Sequence, residues 1–100
     1  MSIRFHRTAL AEGDKVDEAG AFAAEVTKYV TENWGLTMIW GWQVGGTYIT
    51  VHWFVDYANM TEMEAALGRT MTDEGYRKLL GKAQDYFVTG TVEDTIVYTM

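Results

Sequence analysis

The chain contains no cysteine and no proline. Without Cys there is no disulfide framework, no thiol nucleophile and no Cys-based metal site. Without Pro, a low-complexity stretch or a repeat period, nothing marks a linker, so residues 1–100 read as a single domain. Basic residues are also few: eight Lys and Arg stand against fourteen Asp and Glu, for a net charge of −6. Nucleic acid recognition needs a positive footprint that releases counterions, and an anionic membrane surface asks for the same. Neither nucleic acid nor membrane is therefore expected as a partner. No apolar run reaches membrane-spanning length, and no basic segment followed by an apolar one opens the sequence. The expectation is a soluble, cytoplasmic protein.

What the chain does have is apolar material: 48% of it is hydrophobic and 14% aromatic, enough for a packed interior and too much for a disordered chain. The order of its periodicities is the next signal. Period-two alternation at Ser2–Ala11 gives way to a helical stripe over Asp14–Trp34. Leu36–Val44 and Thr47–Asp56 flank Gly45-Gly46, Asn59–Thr89 is helical again, and Thr91–Met100 closes as a strand. The β-α-β-β-α-β order is the ferredoxin-like plan, an α+β fold with a four-stranded antiparallel sheet in the order 4-1-3-2.

Local signals fix the helices. Val16, Ala19, Phe22, Ala23, Val26, Tyr29, Val30 and Trp34 recur at three- and four-residue spacing, with Asp14 as expected N-cap and Gly35 at the left-handed C-terminal position. Asn59 and Glu62 form a capping box, with Met60, Met63, Leu67 and Met71 on the apolar side. The capping role also accounts for the Asn59-Met60-Thr61 sequon. Thr72-Asp73-Glu74 resembles a fresh helix start, so the second helix should break near residues 68–72, before a stripe through Tyr76, Leu79, Leu80, Ala83, Tyr86 and Phe87 that ends at Gly90.

Taking Gly45-Gly46 as a two-residue turn pairs Trp42 with Ile49, Trp40 with Val51 and Met38 with Trp53, all on one face. The opposite face then carries Gln43, Tyr48, Gly41, Thr50, Ile39, His52, Thr37 and Phe54. Neither face of the hairpin is charged, apart from Asp56 at the strand end. A sheet open to water on one side shows alternation with polar residues. Two helices cover only one face, so a second copy is expected on the other, which makes the chain a homodimer.

Residues Val51-His52-Trp53-Phe54-Val55-Asp56, followed by Met63-Glu64-Ala65-Ala66-Leu67, resemble the dimeric α+β barrel superfamily. Tyr76 and Thr89-Gly90-Thr91-Val92 extend the likeness over essentially the whole chain, toward its NIPSNAP-like and antibiotic-biosynthesis-monooxygenase-like branches. The resemblance implies a ligand pocket between each sheet and its own helices. It also implies activities ranging from cofactor-independent oxygenation of aromatic compounds to haem degradation and lactone isomerisation. The haem-degrading branch relies on a His in the second helix, and residues 59–89 contain none.

The chemistry-bearing candidates are few. His52 and His6 lie mid-strand on neighbouring strands, where the imidazoles approach each other and a neutral ring is a natural general base. Read functionally, they abstract a proton from a phenol or enol without a bound cofactor; read structurally, they are satisfied sheet histidines. Trp40, Trp42, Trp53, Tyr76 and Tyr48 either line a cavity for an apolar or aromatic ligand or fill the core, although an indole N–H wants a partner. A metal set of His6, His52 and Asp56 is not expected, because four strand residues span roughly 13 Å. Arg4 and Arg7 fall on opposite faces of the first strand, so one must meet an anion, either an acidic residue such as Asp94 or Glu93 on the fourth strand or a ligand carboxylate. A non-catalytic structural homodimer is the alternative to a small-molecule enzyme.

Overall fold

The computed structural model describes all residues from 1 to 100. In chain order it has β1 (Ser2–Leu10), α1 (Val16–Trp34), β2 (Met38–Trp42), β3 (Thr50–Tyr57), α2 (Met60–Thr72), α3 (Glu74–Ala83) and β4 (Glu93–Thr99). The strands form one antiparallel sheet in the order β2-β3-β1-β4, the expected ferredoxin-like arrangement, and the helices lie on one side of it.

The face carrying the tryptophans is the one that meets the helices. α1 buries Ala19, Phe22, Ala23, Val26 and Val30 against Val51 and Trp53 of β3, while Trp40 and Trp42 pack at the margin of the same cluster. Gly20 makes room there, since a Cβ on it would lie 3.3 Å from Trp42 Cζ2. A second cluster joins Ile3, Val55 and Tyr57 of the sheet to Met63 and Ala66 of α2. The rest of the expected α2 stripe is less well covered: Met60 and Leu67 are 37% and 38% exposed, and Met71 is 72% exposed.

Helix ends follow their caps. Gly35 closes α1 in the left-handed region at φ 66°. Asn59 Oδ1 accepts from Glu62 N at 2.9 Å, and Glu62 Oε2 accepts from Ala58 N at 3.2 Å, which completes the box. The break between α2 and α3 falls at Asp73. Its Oδ1 accepts from Tyr76 N and Tyr29 Oη, and its Oδ2 from Trp34 Nε1, at 2.9, 2.6 and 2.8 Å. One carboxylate thus starts α3 and ties it to α1.

Three sequence expectations are corrected. Asp14 does not cap α1: Lys15 occupies that position without a side-chain bond, because Lys15 N first closes a turn onto Glu12 O at 2.9 Å. The last helix stops at Ala83 rather than Gly90. Tyr86 and Phe87 turn back on Ala83 O, and Phe87 then bridges Ala11, so β1 gains a partner where the helix would have continued.

The third correction is the hairpin register. Trp40 faces Trp53, Met38 faces Val55, Gly41 faces His52 and Ile39 faces Phe54. Gly45-Gly46 is the tip of a longer loop rather than a two-residue turn, closed by Gln43 N donating to Thr50 O at 2.9 Å. Gly46 and Ile49 take positive φ, 75° and 59°, the second uncommon for a β-branched residue. The slip is by two residues, so every side chain keeps its face.

Candidate functional site

Between the sheet and the helices lies an apolar cavity in two lobes. The smaller, about 110 Å³, is bounded by Phe22, Trp53 and Phe87; the larger, about 250 Å³, by Val30, Trp34, Tyr57 and Ala66. Phe5, Arg7, Met38, Val55, Tyr76 and Leu80 line both and form the waist.

Arg7 reaches this side because it alternates with Arg4 along β1. Its Nε and Nη2 donate to the two carboxylate oxygens of Asp94 on β4 at 2.7 and 2.9 Å, a bidentate pair that meets the anion requirement read from the sequence. Tyr76, buried at the start of α3, stands over the waist. Burial raises its phenol above the ordinary value against the opposing influence of Arg7, so at neutral pH it carries its proton. Burial likewise raises Tyr57, on the wall of the larger lobe. The cavity therefore offers hydrogen-bond donors in an apolar setting, with its one guanidinium already neutralised.

The histidines stand on the other face of the sheet. His6 Nε2 lies 2.7 Å from His52 Nδ1, and His52 Nε2 lies 2.7 Å from Gln43 Oε1. Gln43 Nε2 donates to Gly45 O at 2.7 Å, which fixes the amide so that its oxygen faces His52. His52 Nε2–H must then donate to Gln43, leaving Nδ1 to accept from His6 Nε2–H. The ring centroids, 4.9 Å apart, place the imidazoles edge to edge, and Phe54 stacks on His6 at 4.4 Å. Burial first, then the charges of His52 and Arg4, lower the His6 pKa. Arg4 itself is held by Asp56 at 2.8 Å.

The residues singled out from sequence thus divide between two places. Trp53 and Tyr76 line the cavity, with Trp40 and Trp42 packed beside its core. His6 and His52 meet each other but not the cavity, and Tyr48 sits in the β2–β3 loop, exposed. In the sequence Arg7 reads as a strand arginine in need of an anion, not as a wall of the cavity. Its place at the waist follows from strand parity once the helix side is known.

No protein-family model matches the chain, and no curated protein matches it. Solved structures do. A NIPSNAP family protein from Agrobacterium tumefaciens superposes with a TM-score of 0.78 at 15% identity, over 100% of this chain and 94% of that one. A putative antibiotic biosynthesis monooxygenase from Nitrosomonas europaea gives 0.77 at 10% identity, over 99% and 90%. SnoaB, a cofactor-independent oxygenase from Streptomyces nogalater, gives 0.72 at 9% identity, over 98% and 92%. No helix of this chain is long and apolar enough to cross a membrane. The fold of this chain is the one shared by NIPSNAP proteins and antibiotic-biosynthesis-monooxygenase-like proteins.

Proposed function

We propose that this protein binds a small apolar or aromatic metabolite in the two-lobed cavity, and that two copies pair through the uncovered sheet face. The observation that carries the first part is the cavity itself: nearly all its walls are apolar, and Arg7 and Tyr76 stand together at its waist. That pattern of a greasy enclosure with few convergent polar groups is what small-molecule sites share. The presence of a cofactor-independent oxygenase and a putative monooxygenase among proteins of this fold supports a ligand of that kind. A neutral fluorescent probe, N-phenyl-1-naphthylamine, should brighten on binding, and Ala66→Phe, which fills the larger lobe, should abolish the signal while circular dichroism stays native. No brightening, or brightening that survives the plug, overturns the reading.

The pairing rests on the outer face. Ile39 and Val97 are 55% and 45% exposed there beside Phe54, and Arg4 with Asp56 cancel. In an acidic chain, this face is where identical copies meet with little charge repulsion. Sedimentation at micromolar concentration should give a dimer in the cytoplasmic pH range, and a monomer there refutes the pairing.

A second reading is favoured by one observation: His6 Nδ1 makes no hydrogen bond within the chain, while His52 is engaged at both nitrogens. In that reading His6 is the proton acceptor of a cofactor-independent isomerase, cyclase or monooxygenase, and His52 orients it, with the substrate held against the outer face. His6→Ala should then abolish turnover of a phenolic or enolic substrate with folding intact; unchanged turnover removes His6 from the chemistry.

A further inference from the structure

The centre of the outer sheet face is polar. β1 and β3 are the inner strands of the sheet, and His6 and His52 stand diagonally across their ladder, since His6 pairs with Phe54 and Thr8 with His52. The helices lie on the other side. Both rings are half-buried all the same, with Phe54 stacked on His6 and Gln43 bonded to His52.

The bonds through these rings leave one place for a further proton. His52 Nε2–H donates to Gln43 Oε1, and His52 Nδ1 accepts from His6 Nε2–H, so both nitrogens of His52 are committed. His6 Nδ1 makes no hydrogen bond within the chain. A proton arriving there leaves every bond intact, whereas one arriving on His52 Nδ1 breaks the link between the rings. The centre of the face thus turns from neutral to cationic at a single atom, without rearrangement.

The other charges on this face are paired or remote. Arg4 on β1 donates to Asp56 on β3 in a bidentate pair at 2.8 and 3.0 Å. The hydrogen bond from Arg4 holds the Asp56 carboxyl below its ordinary range, so that pair stays ionised in mild acid. On β4, Thr95 lies opposite His6, while Glu93 lies opposite Thr8 at the exposed strand end. β2 brings no charged residue. A cationic His6 therefore finds no free carboxylate beside it.

We infer that His6 is a proton-operated switch on the pairing of two copies: with Nδ1 bare the outer faces meet, and with Nδ1 protonated they separate. This rests on the pairing read above and names what regulates it. Closing one face on another strips water from His6, and a cation buried without a counter-charge loses its hydration for nothing in return. A two-fold pair buries two such rings, so both protons must leave before the faces close. The single chain already disfavours the proton, because burial, then His52 and Arg4, lower the pKa of His6. Pairing deepens the same effect.

The test is sedimentation of the full chain across a pH series, with circular dichroism at each point. A dimer is expected at micromolar concentration at about pH 7.5, and by about pH 5.5 the dissociation constant should have risen at least tenfold, with a ceiling of roughly a hundredfold per pH unit for two coupled protons. His6→Gln keeps an N–H for His52 Nδ1 but takes up no proton, and should hold the dimer at both ends of the series. The unmodified chain gives an independent measure: its His6 ring resonances should titrate at lower pH as the protein is concentrated through the monomer–dimer range, since proton and partner oppose each other reciprocally. That measure decides if His6→Gln fails to fold or to pair. A monomer at the neutral end overturns the pairing, and this inference with it. A dimer whose dissociation constant ignores pH, an acid loss that persists in folded His6→Gln, a His6 titration indifferent to protein concentration, or dissociation only where the native spectrum is lost overturns the switch alone.

Discussion

Met63 and Met71 lie on the same helix and both belong to the apolar stripe read from the sequence, yet the structure treats them oppositely. Met63 is 2% exposed, wedged with Ala66 against Ile3, Val55 and Tyr57; Met71 is 72% exposed. Truncating a buried Met to Ala removes its transfer energy and leaves a cavity, at a cost of about 2–5 kcal/mol. A domain of this size holds about 5–15 kcal/mol in all. Met63→Ala at ~3 kcal/mol should therefore lower the melting temperature by roughly 12–24 °C. Met71→Ala removes surface that is mostly in water already, and should stay within about 0.5 kcal/mol, a shift of roughly 2–4 °C. Urea unfolding of the two variants, with m-values compared, measures this directly. Equal losses would mean that α2 is rotated about its axis relative to the arrangement described, and would remove the larger lobe as drawn.

Other perturbations probe the site. Asp94→Ala leaves the Arg7 guanidinium without its counter-ion at the cavity waist, so a carboxylate-bearing aromatic should gain affinity over its neutral analogue; calorimetry with the matched pair checks the reversal. In a titration followed by nuclear magnetic resonance, His6 should protonate below the ordinary 6.5. Its neutral form is favoured in the folded state, so its stabilising contribution is complete above pH 6.5 and is lost as the pH falls through the folded value. His6→Gln should remove that part of the pH dependence, and a steep acid loss persisting in the variant would assign it elsewhere. Asp73→Ala should free Tyr29, Trp34 and the first turn of α3 together, read as faster amide exchange from Glu74 to Arg77; exchange confined to a single residue would contradict the shared anchor.

The fold was largely legible because its signals are local and repeated. The α1 stripe marked five residues that are in fact buried, and Asn59, Gly35 and Asp73 each announced a helix end through their own chemistry. What misled was competition between local and distant bonds. Gly45-Gly46 has the composition of a tight turn, but Gln43 and Thr50 close the ladder first, and Ile49 accepts a backbone conformation its type disfavours. Gly90 marked a helix end, but Ala11 had already claimed Phe87. For the site, strand parity separated the His side from the Trp side, and adjacency of β1 and β3 brought the imidazoles together. The pocket between sheet and helices follows from the resemblance, but its size and full lining were not legible in any residue. They depend on how far α1 and α3 stand from the sheet, which no residue states alone.

The loop between β2 and β3 has one further consequence. Gln43 anchors its first position through His52, and Thr50 Oγ1 bonds back to Thr47 O, whereas Val44 is almost wholly exposed. Pairing is thus set outside the tip, and lengthening a flexible loop costs only about 0.6 kcal/mol per doubling. The tip is therefore the place where a foreign peptide can be grafted, or a tag displayed, without moving the tryptophans from the face they occupy.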